Sequence, residues 1–150
     1  MNRIRPARLI IAGLATLVAF LLIELVRESL IGTAVFGDRL RLLRPSGSFL
    51  TWSLGEHALN LTIGLFTCFM MIWLYASLRP MFGVGARTAL IAAGFVFAFV
   101  FAFHLNFANL GFIPHWQALL YCLDLIVELP LALLVGAEVY ERGRWTVSEA

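Results

Sequence analysis

The chain has no lysine. All 11 of its basic residues are arginine, and with nine acidic residues they leave a formal charge of only +2 over 150 residues. So small an excess, without a basic or acidic tail, excludes the electrostatic footprint of a nucleic-acid-binding protein. Cysteine is nearly as scarce: Cys68 and Cys122 each stand alone in an apolar run, without Cys-x-x-Cys spacing. A disulfide scaffold and a dithiol redox centre are thereby excluded, and two buried thiols are expected. There is no Pro-rich or Gly/Ser-rich linker and no fixed-period repeat, so residues 1–150 read as one domain. Charged residues make up 13% of the chain, against 61% apolar residues and a mean hydropathy of +0.91. Those values exclude both a disordered chain and a soluble globular one. What remains is an integral membrane protein.

A helix rising 1.5 Å per residue needs roughly 20 apolar residues to cross a ~30 Å hydrocarbon core. Four stretches qualify, at residues 9–26, 58–78, 88–107 and 116–137. Lipid offers no partner to unpaired backbone groups, so each is predicted to be helical. Phe95, Phe97, Phe99, Phe101 and Phe103 alternate at the period of a strand, but one such run among three helical spans cannot close a barrel. The fold class is therefore all-α: a polytopic membrane protein with four transmembrane helices in an up-down bundle. Pro80, Gly83 and Gly85 between the second and third spans predict a break in the helix and a tight hairpin, with Gly83-Val84-Gly85 read as a turn and not as a phosphate loop. The long segment from Arg27 to Gly55 mixes leucines with arginines, and part of it is expected to lie in the interface.

The first span follows Arg3, Arg5 and Arg8 in the manner of a signal peptide. Glu24, Arg27 and Glu28 occupy the place of a cleavage site, however, so a retained signal anchor is expected. With both termini cytoplasmic, seven arginines lie on the inner side and four on the outer, which sets the expected orientation. Trp52, Trp73, Tyr75, Trp116, Tyr140 and Trp145 fall where interfacial aromatic belts belong.

An ionisable side chain within a span costs at least ~2.5 kcal/mol on insertion scales, so its position carries information. On the fourth span Gln117, Tyr121, Asp124 and Glu128 share one helical face. Counted from Trp116, Asp124 lies ~12 Å deep and Glu128 ~18 Å deep, beside Pro130. His57, Asn60, Gly64 and Thr67 form a matching stripe on the second span, and Gly13, Thr16, Phe20 and Glu24 one on the first. On the third, Gly94, Ala98 and Ala102 make a small-residue seam for close helix approach, extended by Asn106, with His104 turned away from it. Asp124, Glu128, His57, Asn60, Glu24 and Asn106 thus make up a candidate ligand- or cation-binding cavity in the outer half of the bundle. The alternative is that Asp124 and Glu128 are satisfied by Thr16, Thr67, Asn60 or one another and fix helix register.

Glu24, Glu56, His57, His104, His115, Asp124 and Glu128 supply potential metal ligands, but no Glu-x-x-His or His-Glu-x-x-His spacing gathers them, and no metal is assigned. A haem between His57 and His104 is disfavoured by the angle of His104, and no cofactor is predicted. His57 as general base toward a lipid or quinone has no positioned partner, so an enzyme is the least favoured class.

The run Trp73-Leu74-Tyr75-Ala76-Ser77-Leu78-Arg79-Pro80, then Phe82-Gly83 and Arg87-Thr88-Ala89-Leu90, resembles a hairpin of uncharacterised four-helix inner-membrane proteins of bacteria. The likeness extends loosely over all four spans and rests on turn and packing residues. It implies residence in a bacterial inner membrane and this topology, with no activity to carry over. The leading functional expectation is an accessory or assembly component, associating as a homodimer or with a membrane-protein partner. The alternative is a small transporter or a ligand- or cation-binding membrane protein.

Overall fold

A computed structural model describes residues 6–27 and 53–142, which form four α-helices. They are α1 (Pro6–Arg27), α2 (Leu54–Phe82), α3 (Ala86–Asn109) and α4 (His115–Arg142). All four are long and apolar enough to cross a bilayer. The expected all-α architecture of four membrane-spanning helices in an up-down bundle is what the chain adopts, and the phenylalanine run of α3 is helical throughout. The Arg27–Gly55 interfacial segment falls almost wholly outside the described residues, as do Trp52, Trp145 and the first two arginines.

The helices outrun the apolar stretches that predict them. α2 begins four residues before Ala58 because Ser53 and Glu56 form a capping box. Ser53 Oγ accepts from the Glu56 amide at 3.3 Å, and the Glu56 carboxylate accepts from the Ser53 amide at 2.8 Å, so orphan donors of the first turn are satisfied. At its other end α2 runs past Pro80 to Phe82, contrary to the expected break. Proline costs a single backbone bond there, in the exposed last turn, and the reversal is made by the glycines instead. Gly83 (φ 85, ψ −176) and Gly85 (φ 122, ψ −169) both occupy a region of backbone space closed to side chains. Thr88 Oγ1 donates to the Gly83 carbonyl at 2.7 Å and ties the turn to the start of α3. α4 likewise continues through Pro130 and extends to Arg142, five residues beyond Ala137.

The helices form a closed ring: α1 lies between α2 and α4, α3 lies between the same two, and α1 and α3 face each other without touching. Small residues bring the backbones together. A Cβ built on Gly136 would overlap Thr16 Oγ1 and lie 2.7 Å from Ile72 Cδ1, and one on Gly13 would lie 2.8 Å from the Phe69 ring. Such close approach maximises dispersion contacts, the main force between helices that lipid solvates as well as they solvate each other.

The core is not spread evenly. Its buried positions on α1 (Ala12 to Leu17) and α2 (Cys68 to Ala76) all belong to the half nearest the α2–α3 hairpin, and on α3 only Ala108 is buried beyond Ala93. α4 alone is buried at intervals along its length, from Ala118 to Tyr140. Among the described residues the bundle is therefore tightly closed at the hairpin end and loosely packed at the opposite, open end.

Candidate functional site

In the open half, helical periodicity decides which side chains α2 turns toward its neighbours. His57, Asn60, Gly64 and Thr67 are half-buried, whereas Ala58, Leu59, Leu61, Thr62, Ile63 and Phe66 are exposed. The polar stripe thus faces inward, and α1 answers it with Phe20 and Glu24, both half-buried. Between them lies a cleft of about 180 Å³ lined by Leu17, Phe20, Leu21, Glu24, Asn60, Leu61, Ile63, Gly64, Thr67 and Cys68. Two of the candidate site residues, Glu24 and Asn60, therefore meet in one concave space. Gly64 faces Leu17 across this space, and a Cβ there would make ordinary van der Waals contact with Leu17 Cδ1 at 3.5 Å.

Glu128 stands behind this cleft. Its side chain is buried, at 2% exposure, and within electrostatic reach of the Cys68 thiol on the cleft wall. Asp124, one turn along α4, is half-buried and outside the lining. His57 is in the first turn of α2, where Nδ1 donates to the Ser53 carbonyl at 3.0 Å, and it too lies outside the lining.

The third helix is turned differently from the sequence expectation. Gly94, Ala98, Ala102 and Asn106 are all exposed, and a Cβ on Gly94 would meet nothing. His104 instead faces α4, with its ring centroid 6.0 Å from that of Tyr121 and Nδ1 donating to the Val100 carbonyl at 2.9 Å. The reason is that α3 carries a second small-residue row, Ala89, Ala92 and Ala93, and this row packs into the core. One consequence is that Asn106 lies on the outward face, away from the cleft.

The residues weighed as metal ligands are dispersed. Among the described residues no group of three His, Cys, Asp or Glu side chains converges. The Glu56 carboxylate caps α2, and His115 Nε2 donates to Asn109 Oδ1 at 3.1 Å beyond the end of α3. Nor do His57 and His104 present the two faces a bridging haem needs, since the ring of His104 packs on Phe103 and Tyr121.

Sequence reasoning missed a polar cluster at the hairpin end. Glu141 of α4 accepts from Tyr75 Oη at 3.0 Å and from Arg79 Nη2 at 3.2 Å, and its other contact with Arg79, through Nε, is 2.8 Å. The Arg79 guanidinium lies 5.2 Å from the Tyr140 ring centroid, and Tyr140 meets Tyr75 edge-on at 6.1 Å. Gly85 N–H donates to Tyr75 Oη at 3.3 Å, which joins the hairpin to the same knot. The i, i+4 pair Tyr75 and Arg79 was the available signal, but nothing local links it to residues 140 and 141. Its dense internal bonding makes this a clamp between α2, the hairpin and α4, well removed from the cleft. Comparison of the chain with protein-family models, curated proteins and solved structures finds no match.

Proposed function

We propose that this membrane protein is an accessory component that holds a cationic ligand in the cleft between α1 and α2, and that it does so without catalysis. The observation that carries the reading is the meeting of Glu24 and Asn60, from stripes on separate helices, in one largely apolar cleft. A carboxylate in such surroundings acts through a lower effective dielectric than in water, which strengthens its attraction for a cationic group. Asn60 adds an amide whose oxygen accepts and whose nitrogen donates, which orients the ligand. Glu128 lies behind the Cys68 wall, with Asp124 a turn further toward the open end. The arginine bias supports cytoplasmic termini, and with the hairpin resemblance it supports a bacterial inner membrane; the cleft then opens in the outer leaflet.

The test is native mass spectrometry and elemental analysis of protein purified in mild detergent, wild type beside Glu24→Gln and Asn60→Ala. A stoichiometric cationic species present in wild type and lost from Glu24→Gln is expected. Equal occupancy in all three proteins, or none in any, would overturn the reading.

A second reading, association with another copy, is favoured by the exposed Gly94, Ala98 and Ala102 on α3. Small residues on a lipid-facing surface permit close backbone contact between helices of different molecules. Ala98→Leu should then reduce cross-linked dimer, and an unchanged dimer fraction removes this reading.

A further inference from the structure

We infer that the α2–α3 hairpin is a lipid-anchoring surface that docks anionic phospholipid headgroups. The inference is independent of the cleft and of its occupant.

The bracing of the turn is the first argument. Gly83 and Gly85 reverse the chain in backbone conformations that side chains rarely adopt. Three bonds hold the result: Gly83 N–H donates to the Arg79 carbonyl at 2.9 Å, Thr88 Oγ1 to the Gly83 carbonyl at 2.7 Å, and Gly85 N–H to Tyr75 Oη at 3.3 Å. Tyr75 is in turn fixed by its bond to Glu141. The turn is thereby tied to the bundle, and it still holds its apolar side chains outward. Met81, Phe82 and Val84 are 76%, 39% and 54% exposed. Exposed apolar side chains gathered at one tip mark an interaction surface.

Depth identifies what meets that surface. α3 has 24 residues, so at 1.5 Å each it measures ~36 Å and overreaches a ~30 Å hydrocarbon core by ~3 Å at each end. α2, with 29 residues, overreaches by ~6 Å. By either helix the tip lies within the headgroup layer, which is roughly 5–7 Å thick on each side. Apolar side chains at that level insert at the boundary between headgroups and acyl chains. A soluble partner would have to displace headgroups to reach them.

Charge selects the lipid. α1 and α3 start at this end and α2 and α4 finish there, so the parts of the chain attached to it, termini included, carry seven of the 11 arginines against Glu138, Glu141 and Glu149. Within the described residues, Glu138 and Glu141 are engaged by Arg142 and Arg79. Arg87, three residues past Val84, is exposed and forms no ion pair among the described residues. The first turn of α3, where Arg87 stands, has no acidic side chain, so the amide end of the helix adds to the positive field. A guanidinium matches a phosphate through two parallel N–H bonds. Every phospholipid offers that phosphate, and the net positive end of the bundle favours lipids whose headgroup leaves the negative charge uncompensated.

The experiment is native mass spectrometry of the full chain in mild detergent, titrated separately with phosphatidylglycerol, phosphatidylcholine and a soluble polyglutamate peptide. The wild type is compared with Arg87→Gln and with Met81→Ser/Phe82→Ser/Val84→Ser. A second measurement follows amide exchange at residues 84–87 of the wild type in phosphatidylcholine nanodiscs with and without phosphatidylglycerol. The wild type is expected to prefer phosphatidylglycerol over phosphatidylcholine. Arg87→Gln should reduce that preference by about fivefold, the worth of one arginine at an anionic surface. The triple variant should weaken binding of both lipids, and phosphatidylglycerol should slow exchange at residues 84–87. Equal binding of the two lipids by the wild type overturns the inference. A preference unchanged in both variants places the lipid elsewhere on the bundle and overturns it as well. Polyglutamate bound through Arg87, without any lipid preference, overturns the lipid in favour of an acidic protein partner. Should a variant lose its helical circular dichroism, the wild-type exchange rates decide, and equal rates with and without phosphatidylglycerol overturn the inference.

Discussion

Gly136 tests whether the hairpin half is held by backbone contact. A Cβ placed there overlaps Thr16 Oγ1, lies 2.7 Å from Ile72 Cδ1 and 3.1 Å from the Ala12 carbonyl oxygen. The three neighbours differ in how they can yield. Ile72 Cδ1 is the end of a flexible side chain and can swing aside at little cost. Thr16 Oγ1 can turn only by giving up its 2.8 Å bond to the Ala12 carbonyl, a loss of about 1 kcal/mol. The Ala12 oxygen is backbone and moves only if α1 moves. Gly136→Ala should therefore destabilise by about 2 kcal/mol, within the overpacking range. Thr16→Ala removes the first obstacle, so the double variant Thr16→Ala/Gly136→Ala should be less destabilised than the two single effects combined, by about 1 kcal/mol. Equilibrium unfolding in mixed micelles with increasing dodecyl sulfate, followed by helical circular dichroism, measures all four corners of the cycle. A Gly136→Ala protein within about 0.5 kcal/mol of wild type, or a strictly additive cycle, would show that the helices pass less closely than argued.

Removing one partner of the Arg79–Glu141 pair, whose side chains are 10% and 14% exposed, strands the other; Glu141→Gln should cost about 3 kcal/mol in the same assay, and a neutral result refutes the clamp. Tyr75→Phe deletes the hydroxyl that joins Glu141 to Gly85, and should cost about 1 kcal/mol and raise amide exchange at Gly85. Ser53→Ala opens the capping box and should cost about 1 kcal/mol locally, seen as faster exchange at the Glu56 amide with the hairpin end unaffected. Gly85→Ala forces a side chain into φ 122, a strain of about 1–3 kcal/mol visible as a lower unfolding midpoint; an unchanged midpoint places the reversal elsewhere in the loop.

The parts of this structure legible in the sequence are those that one helix decides for itself. Length and apolarity mark each span, and the 3.6-residue period is enough to turn His57, Asn60, Gly64 and Thr67 inward together and to bury Glu128. The capping box is equally legible as Ser53-x-x-Glu56, but hydropathy does not mark it, because the apolar run ends where Glu56 and His57 begin. Choices between equivalent faces were not legible. α3 has two rows of small residues, and only the shape of its neighbours selects Ala89, Ala92 and Ala93 over Gly94, Ala98 and Ala102. The clamp was hidden for a related reason: Arg79 and Glu141 are 62 residues apart, and their pairing depends on how far α2 and α4 each continue past their apolar stretches. The grouping of Glu24 with Asn60 needed the ring order of the helices, which no periodicity contains.

The buried carboxylate of α4 also bears on how the chain enters the bilayer. On insertion scales Asp124 and Glu128 together oppose entry by about 5–7 kcal/mol, while the eight leucines, one isoleucine and three valines between Ala118 and Arg142 favour it by about the same amount. On its own α4 is thus poised near indifference between the translocation channel and lipid. α3 carries no Asp, Glu, Lys or Arg after Arg87, and it is joined to α4 by residues 110–114 alone. Membrane entry of α4 is accordingly a paired event, with α3 as escort and the burial of Glu128 completed against helices synthesised earlier. Chains truncated after α3 should integrate cleanly, whereas α4 fused alone to a reporter should partition between integrated and translocated forms.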